Sequence, residues 1–547
     1  MSILRYFLEW ESKFPNKILF NQPVDGKYIT WTFHEAGNEI RRIVSGIQSL
    51  GLKPGDHVAL LSKNCAHWIM ADLAMMMGGY VSVPIYPTLT ANTIQKILKH
   101  SDSKAIIVGK LDNYNAQKPG IPSEVPIIAI ELFHVDEDII WEDWVKNMPL
   151  SNYVHPWEDE DMFTIIYTSG TTGRPKGVMH KIGAVDTTIK VAVEDLGVIN
   201  DGSGRMFSYL PLSHIAERAG VEALGIFTGA SFTFAESLET FPSNLADTQP
   251  TSFFAVPRIW AKFREKIEEK LPPAKLQRLL KIPILNSIIK KSIRKKLGLS
   301  IATHIFSGAA PITVDMLKWF EKLDIQILQA YGMTEDCVYA HFNRRNANKH
   351  GTVGLPLKGL LRKISKEGEI RVKSPALTLG YYKEPELTKA LFDEEGYLRT
   401  GDLGEIDQEG FLSITGRSKD QFKTEKGKYI SPEPIEMELI SHPEIEAACV
   451  VGIGIPQPIA LVTLSQTGKE KNKDKVKQNL NAFLKILNSM LEGHERIAKV
   501  IIMKEDWTIE NDLLTPTMKV KRNLLEQRFN NQYSLWYNIN DNIIWEE

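Results

Sequence analysis

Amphipathic helical patterns alternate with short, β-branched apolar runs along this chain, and this alternation restricts the possible folds more than any other feature. Residues 35–51 carry apolar side chains at helical spacing and end in glycine, and the run HVALLS at 57–62 has the composition of a buried strand. The same order repeats with a helical pattern at 92–101 and an apolar run at 104–109. Such alternation is typical of mostly parallel sheets with helices on their faces. The sequence therefore predicts an α/β protein.

The length of the chain indicates more than one domain. At 547 residues it exceeds what one hydrophobic core normally serves. The alternation breaks at 416–432, a polar, basic and glycine-bearing stretch, and a compact segment with its own apolar run at 447–453 follows. We therefore predict a large N-terminal domain over residues 1–417 and a small α+β C-terminal domain over residues 418–547.

The composition favours a protein of a reducing, cytoplasmic compartment. The formal net charge of −2 argues against a nucleic-acid partner. The three cysteines, Cys65, Cys337 and Cys449, lie far apart without a CxxC pair, so neither a disulfide framework nor a zinc site is expected. The first residues lack the apolar stretch of a signal peptide. The most apolar window, residues 68–87, includes Asp72, two glycines and two prolines, which predicts a buried helix and strand rather than a membrane span.

The stretch YTSGTTGRPKG at 167–177 is dense in glycine and hydroxyl residues and carries one lysine. It is not a Walker A loop, because only two residues separate Gly170 from Gly173 and because Lys176 lies between a proline and a glycine instead of opening a helix. The apolar runs on either side predict a loop between two strands. Its hydroxyls and backbone N–H groups could wrap a polyphosphate, although a turn of this composition can also be only a turn.

The whole string resembles the signature loop of the adenylate-forming, AMP-binding superfamily. The resemblance continues in the family's order through VSVPIYPTL, SYLPLSHIAER, FSGAAPI, QAYGMTE, LRTGDLGEID, GRSKDQFKTEKGKYISPEPIE and LLTPTMKVKR. The most specific of these stretches are similar to long-chain fatty acyl-CoA synthetases, with features of the bubblegum-like branch. This resemblance implies a large N-terminal domain and a small, mobile C-terminal domain.

The reaction that the resemblance implies has two steps. A fatty-acid carboxylate attacks the α-phosphate of ATP, which gives acyl-AMP and pyrophosphate, and the thiol of CoA then displaces AMP. ATP and CoA would be co-substrates and Mg²⁺ the cofactor. Because an anion approaches a polyanion, the site must supply positive charge and an in-line pose.

The resemblance also implies residues for each part of that site. The loop would hold the phosphates through Thr168, Ser169, Gly170, Thr171, Thr172, Gly173 and Lys176. The nucleotide would further contact Gly308, Ala309, Ala310, Tyr331, Gly332, Asp402 and Arg417. Tyr331 would lie against adenine and Asp402 would accept from the ribose hydroxyls. Loop aspartates also cap helices, and loop arginines often stay in solvent.

Four residues would carry the chemistry. Thr334 would contact the α-phosphate and Glu335 would bind Mg²⁺, although a Thr–Glu pair can also cap a helix. His214 would lie beside the substrate carboxylate, although a lone histidine is often structural. Lys519 would stabilise charge during adenylation only, so it can lie on a mobile domain; a solvated basic run is the alternative. The hinge of that domain would be Lys419.

The chain departs from the family pattern in two places. Met518 precedes Lys519 where glycine is commoner, although long-chain members often carry an apolar residue there. Glu425 and Lys426 precede Gly427 where relatives commonly have two small residues, in the loop expected to face the thiol. A ligase that loads an acyl carrier protein is therefore an alternative, and a non-catalytic lipid-binding protein on the same fold is an alternative of another class.

A basic stretch at 271–300 carries eight Lys or Arg residues and no Asp or Glu. A solvated helix pair explains it, and so does a surface that holds the protein on anionic lipid. No pattern in the sequence predicts the acyl chain length or the oligomeric state.

Overall fold

The computed structural model describes residues 3–168, 175–509, 511–515 and 518–546. Its contacts divide the chain into two compact units. The first unit comprises Met1–Ala310, Asp315–Leu361 and Val372–Leu398. The second unit comprises Pro311–Val314, Arg362–Arg371 and Arg399–Glu547. The predicted boundary at residue 418 and the predicted hinge at Lys419 stay predictions.

An eight-stranded sheet forms the centre of the first unit. Its strands, in spatial order, are Gly380–Tyr381, Lys176–Lys181, Met162–Thr168, Val81–Ile85, His57–Leu61, Ala105–Val108, Ile127–Ala129 and Ile139–Ile140. Six neighbouring strands, from Met162–Thr168 onward, run parallel, whereas Lys176–Lys181 is antiparallel to both of its neighbours. The predicted parallel α/β arrangement is confirmed.

Two further sheets lie in the first unit. One has the order Arg205–Ser208, Ser231–Phe234, Ile18–Val24 and Lys27–Thr32. The other has the order Ser252–Ala255, His304–Ser307, Leu328–Tyr331, His341–Phe342 and Leu355–Pro356, with the first three strands parallel. Parallel strands end at the same edge of a sheet, so loops that follow them meet there.

Helices pack on these sheets. Those of the first unit are Ile3–Lys13, Phe33–Ser49, Ala66–Gly78, Ala91–Ser101, Tyr114–Gln117, Trp141–Asn147, Ile182–Leu196, Ile215–Glu217, Leu224–Thr228, Phe241–Thr248, Pro257–Lys270, Pro273–Leu280, Pro283–Lys296, Val314–Glu321 (whose first residue belongs to the second unit) and Pro385–Leu391. A π-helical segment, Arg218–Ala223, joins two of them. Short 3₁₀ turns occur at Lys118–Gly120, Glu131–Phe133 and Asn530–Gln532.

The helix Phe33–Ser49 shows how the local sequence selects these elements. The Glu35 N–H donates to Thr32 Oγ1 at 3.2 Å and the Thr32 N–H donates to Glu35 Oε2 at 2.8 Å, so a capping box begins the helix. Its apolar stripe, with Ile40 and Ile47 fully buried, faces the core. The predicted helix at 35–51 is confirmed to within two residues at each end.

The apolar window at 68–87 also folds as predicted. Every residue of helix Ala66–Gly78 and of strand Val81–Ile85 is buried, and Gly79 ends the helix in the left-handed conformation at φ 79°. Across the described parts of the chain, no helix combines the length and the apolar character that a membrane span requires.

The described residues of the second unit form three sheets, the first of which takes Leu361, residues 372–373 and Leu398 from the first unit. The first consists of Leu361–Ile364, Glu369–Lys373, Leu398–Ile406 and Leu412–Arg417; the second is the hairpin Phe422–Lys423 and Tyr429–Ile430; the third consists of Ile445–Val451, Ile459–Leu464, Val500–Ile502 and Ile543–Trp545. Its helices are Pro432–Ile440, Gln466–Lys469, Lys473–Met490, Arg522–Phe529 and Tyr533–Asn538. Apolar clusters cover both faces of the third sheet, which confirms the predicted α+β character of this region.

Candidate active site

The glycine- and threonine-rich loop connects two adjacent antiparallel strands. Thr168 ends the first strand directly opposite Lys176, which begins the second. The predicted loop between two strands is thus confirmed. Five of the predicted phosphate-binding residues, Ser169, Gly170, Thr171, Thr172 and Gly173, lie outside the described residues.

The GAAP and QAYG motifs emerge side by side from neighbouring parallel strands. Ser307 and Gln329 are register partners, so Gly308 and the Tyr331–Gly332 pair follow at the same edge of the sheet. Gly308 is buried, and a Cβ there would lie 2.8 Å from the Ala330 carbonyl oxygen, so a larger residue would push the strands apart. Ala309 and Ala310 are exposed, and Ala309 has φ 63°. This edge therefore offers small residues beside a partly buried tyrosine ring, which suits the predicted purine slot.

The segment from Thr334 to Glu335 forms a turn. The Cys337 N–H donates to the Thr334 carbonyl at 3.1 Å, and Cys337 itself has φ 55°, so no helix starts at these described residues. The helix-capping interpretation of the Thr–Glu pair is therefore wrong. Both side chains are buried, with Glu335 9% exposed.

Tyr381 contacts both Glu335 and Lys176, and no local sequence pattern predicts these contacts. Its hydroxyl donates to Glu335 Oε1 at 2.7 Å, and the ammonium of Lys176 lies 5.1 Å from the centre of its ring. Burial and the neighbouring Glu335 carboxylate raise the pKa of Tyr381, so the phenol stays protonated and remains a donor. The structure thus brings the predicted phosphate lysine and the predicted metal-binding carboxylate into contact with one tyrosine.

The backbone around Tyr381 is held on two sides. The Tyr382 N–H donates to the Gly177 carbonyl at 2.8 Å, and the Thr378 N–H donates to the Glu335 carbonyl at 2.8 Å. Gly380 has φ 119°, and a Cβ there would meet Thr388 Cγ2 at 2.3 Å, so only glycine fits. The position of Tyr381 is therefore fixed by its backbone and does not depend on its hydroxyl.

The predicted metal ligand Glu335 has the chemistry that Mg²⁺ prefers. Among the described residues, no group of three or more His, Cys, Asp or Glu side chains could hold a metal ion. Mg²⁺ commonly binds through one or two carboxylates together with substrate phosphates and waters. A single buried carboxylate beside a phosphate loop fits that mode.

His214 caps the helix Ile215–Glu217. Its Nδ1 accepts from the Ala216 N–H at 3.1 Å, which places the proton of the neutral ring on Nε2. The ring is partly buried. Both the structural role and the predicted role beside a carboxylate are compatible with this geometry, so the catalytic role stays a prediction.

A buried polar network, which the sequence did not predict, lies under the His214 segment. Arg218, at the start of the π-helical segment, donates to both oxygens of Asp72 at 2.5 and 2.7 Å and to Thr164 Oγ1 at 2.5 Å. Burial raises the pKa of Glu217 to about 8 and that of Glu222 well above its ordinary value. This network fixes the π-helical segment to the central sheet and to helix Ala66–Gly78.

In the second unit, Asp402 and Arg417 are register partners on adjacent antiparallel strands, with Arg417 Nε 3.0 Å from Asp402 Oδ1. Asp402 is buried, whereas the Arg417 side chain is about half exposed. The two predicted nucleotide residues therefore belong to one polar group, and Asp402 caps no helix. Lys419 lies exposed in the turn after Arg417.

Lys519 belongs to the same electrostatic group. Burial and the Arg417 guanidinium lower the pKa of Lys519 to about 8, against the opposing effect of Asp402, Glu433 and Asp420. Burial likewise raises the pKa of Glu433. The Lys519 N–H donates to Thr515 Oγ1 at 3.0 Å. The interpretation of Lys519 as one of a solvated basic run is wrong, because the lysine is partly buried within this group.

The loop with the unusual charged pair is a hairpin turn. It joins strands Phe422–Lys423 and Tyr429–Ile430, with Gly427 in the left-handed conformation at φ 75°. Glu425 and Lys426 are both exposed. Their charges are therefore carried on the surface of the turn and fill no interior space.

Comparison with known families decides the identity of the fold. Residues 7–382 match the family model described as AMP-binding enzyme, and residues 419–540 match AMP-binding enzyme C-terminal domain. The chain belongs to the AMP-binding enzyme family. It is an adenylate-forming, acyl-activating enzyme, and the resemblance inferred from its motifs is confirmed.

Curated relatives of this AMP-binding enzyme match it over nearly their whole length. Long-chain-fatty-acid–CoA ligase FadD15 of Mycobacterium bovis is 28% identical, covering 97% of this chain and 96% of that protein. Long-chain-fatty-acid–CoA ligase ACSBG2 of Rattus norvegicus is 28% identical, covering 93% and 89%.

Solved structures share the fold at lower identity. The adenylation domain of a carboxylate reductase from Mycobacterium chelonae matches with a TM-score of 0.84 at 20% identity, over 98% of this chain and 91% of that one. The anthranilate CoA ligase AuaEII in complex with anthranoyl-AMP matches with a TM-score of 0.81 at 21% identity, over 98% of both chains. These likenesses establish the adenylate-forming fold.

Proposed function

We propose that this enzyme activates long-chain fatty acids with ATP and transfers the acyl group to CoA. The acid's carboxylate oxygen attacks the α-phosphorus, pyrophosphate leaves, and the CoA thiolate then attacks the acyl carbon so that AMP leaves with that oxygen. The observation that carries the adenylation step is the placement of Lys176 and Glu335 around Tyr381, beside the phosphate loop. The names of the curated relatives support the long-chain substrate and CoA.

Each residue has a role that matches its surroundings. Lys176 and the loop would neutralise the β- and γ-phosphates, and Glu335 would hold Mg²⁺, which screens phosphate charge when it is bound. Thr334 would contact the α-phosphate. Lys519 would add positive charge as the pentavalent phosphorus forms, which lowers the barrier of that step only.

We expect the GAAP and QAYG motifs to contact the base and Asp402 to contact the ribose. Tyr331 presents an aromatic face next to the small Gly308–Ala310 segment. The Asp402 carboxylate has enough lone pairs to accept from two ribose hydroxyls while it keeps its contact with Arg417.

Fatty-acid-dependent exchange of labelled pyrophosphate into ATP tests adenylation, with acids of graded length. Lys519→Ala should abolish exchange, because the charge is needed in that half-reaction, but should retain acyl-CoA formation from supplied acyl-AMP. Lys521→Ala is the matched control, since Lys521 is also basic but pairs with Asp512. Absence of exchange with every acid would instead favour a non-catalytic lipid-binding protein.

Free CoA is the acceptor that we propose over a carrier protein. The charged pair Glu425 and Lys426 is exposed on its hairpin turn and disturbs no packing within the second unit, and the curated relatives named above are CoA ligases. Supplying acyl-AMP with either CoA or a phosphopantetheine-bearing carrier protein compares the two acceptors directly. Faster transfer to the carrier protein would contradict the proposal.

We also propose that the basic stretch contacts an anionic lipid surface. It folds as helices Pro273–Leu280 and Pro283–Lys296, as the predicted helix pair requires. Ile284 is 80% and Ile288 59% exposed. These isoleucines and the exposed Lys291 and Lys295 recur at spacings of four, three and four residues, so they share one helix face.

This face combines apolar side chains with lysines, and the stretch contains no acid. Such a surface is suited to the headgroup region of a bilayer that contains anionic lipid. Co-sedimentation with phosphatidylcholine vesicles, with and without phosphatidylglycerol, tests this. The double changes Ile284→Gln with Ile288→Gln, and Lys291→Glu with Lys295→Glu, should each abolish binding. Leu238→Gln, at a leucine that is 89% exposed elsewhere in the first unit, is the control. If both double variants bind the vesicles as well as the wild type does, the proposal is refuted and the basic stretch is a solvated helix pair.

A further inference from the structure

Tyr381 is the residue whose contacts give it a role beyond packing. It lies in the short edge strand Gly380–Tyr381 of the central sheet, between the start of the strand that carries Lys176 and the turn that carries Glu335. We propose that Tyr381 is a positioning residue for the metal and the β- and γ-phosphates: its hydroxyl orients the Glu335 carboxylate toward Mg²⁺ and its ring holds the Lys176 ammonium. This inference rests on the proposed adenylation function.

The hydrogen bond restricts how Glu335 can turn. A carboxylate on a free glutamate rotates about its terminal bond, and both oxygens exchange places. With Oε1 fixed by the Tyr381 hydroxyl at 2.7 Å, Oε2 is the oxygen presented to a cation. Partners of this kind, which bind a ligand's other atom, typically change metal affinity by about 10–100-fold.

The aromatic ring acts on Lys176 by a separate interaction. A cation within about 6 Å of a ring centroid is attracted by the ring's quadrupole, and Lys176 Nζ lies at 5.1 Å. The long lysine side chain otherwise has many rotamers, so this contact lowers the entropy that phosphate binding must remove. One side chain thus orders two charged groups that must act together on the triphosphate.

The neighbouring residue supplies a matched control. Tyr382 is next in sequence and its hydroxyl donates to Asp102 at 3.3 Å, while its ring packs against His57 and His100. Its hydroxyl and ring therefore contact a group of side chains other than Glu335 and Lys176. Loss of either hydroxyl leaves the backbone hydrogen bonds of the segment unchanged.

The role of the Tyr381 hydroxyl can be measured without turnover. Mn²⁺ is titrated into protein that is saturated with α,β-methylene-ATP, and electron paramagnetic resonance reports the free Mn²⁺. Tyr381→Phe removes only the hydroxyl and should weaken Mn²⁺ binding about tenfold or more, whereas Tyr382→Phe should match the wild type. Metal-free binding of the same nucleotide should be unchanged in Tyr381→Phe, because the ring that holds Lys176 remains.

Tyr381→Leu removes the ring as well and should weaken metal-free nucleotide binding in addition. If the wild type binds Mn²⁺ with the nucleotide and Tyr381→Phe binds it equally well, the positioning role of the hydroxyl is refuted while the proposed function stands. If the wild type binds no Mn²⁺–nucleotide, both the role and the proposed function are refuted. Circular dichroism of each variant establishes that the compared proteins are folded.

Discussion

The rate of adenylation should fall as the pH rises through about 8, because Lys519 loses its proton near that pH. Burial and Arg417 lower the pKa of this lysine from 10.5 to about 8, against Asp402, Glu433 and Asp420. Charge on Lys519 is needed only where negative charge develops on phosphorus. The pH profile of this half-reaction therefore reports the side chain directly.

The size of the effect follows from the titration. With a pKa of about 8, roughly nine-tenths of the lysines are charged at pH 7 and roughly one-tenth at pH 9, so kcat/KM for acid-dependent pyrophosphate exchange should fall about tenfold over that range. The profile of kcat/KM reports the free enzyme, in which no phosphate raises the pKa. Lys519→Arg keeps its charge and should give a flat profile over the same range, at a lower level.

The contribution of Lys519 to the free energy of unfolding should change with pH in the direction opposite to that of the adenylation rate. The pKa of Lys519 is lower in the folded protein than in the unfolded chain, so between about pH 8 and 10.5 the unfolded state binds more protons. The contribution of Lys519 to the free energy of unfolding therefore rises with pH in that window, and Lys519→Met should remove the rise.

A wild-type exchange profile that stays flat to pH 9, or an equal decline in Lys519→Arg, would refute this reasoning.

Substitutions at three further positions test the surroundings of the site. Arg218→Met leaves the fully buried Asp72 carboxylate without its partner and should lower the free energy of unfolding by about 3–5 kcal/mol; urea denaturation measures it, and a loss under 1 kcal/mol contradicts it. Met518 has φ 63°, a left-handed conformation, so Met518→Gly should stabilise the protein by up to about 1 kcal/mol, whereas Met518→Ala should not. Gly380→Ala would bring a methyl group against Thr388 and should lower both thermal stability and exchange activity; an unchanged Tm would contradict the argument from close approach.

Local sequence patterns predict individual helices, strands and loops, because capping residues and apolar periodicity act within one segment of the chain. The capping box of Thr32 and Glu35 and the apolar periodicity after it suffice to place one helix, and the apolar runs on either side of the glycine-rich loop predict its position between two strands. The contact of Tyr381 with Glu335 spans 46 residues and that of Arg218 with Asp72 spans 146. Such pairs depend on how sheets and helices pack, so no local pattern announces them.

The motifs alone also left the environment of the candidate residues undetermined. The Thr–Glu pair at 334–335 has the spacing of a helix cap, but the chain there makes a tight turn whose following residues have positive φ. The lowered pKa of Lys519 arises first from burial and then from Arg417, about a hundred positions earlier. The family resemblance identifies these residues in the sequence, whereas their environments depend on segments distant in sequence that only the fold brings together.

The central claim is that an oxygen of the acid becomes an oxygen of AMP. Incubation of the protein with Mg²⁺, ATP, CoA and a long-chain fatty acid labelled with ¹⁸O in the carboxyl group, followed by mass spectrometry of the nucleotide and acyl products, tests it directly. Acyl-CoA formed together with AMP that carries one ¹⁸O atom is the result that we predict. Unlabelled AMP, or ADP as the product, or no nucleotide consumption with any acid, would contradict it.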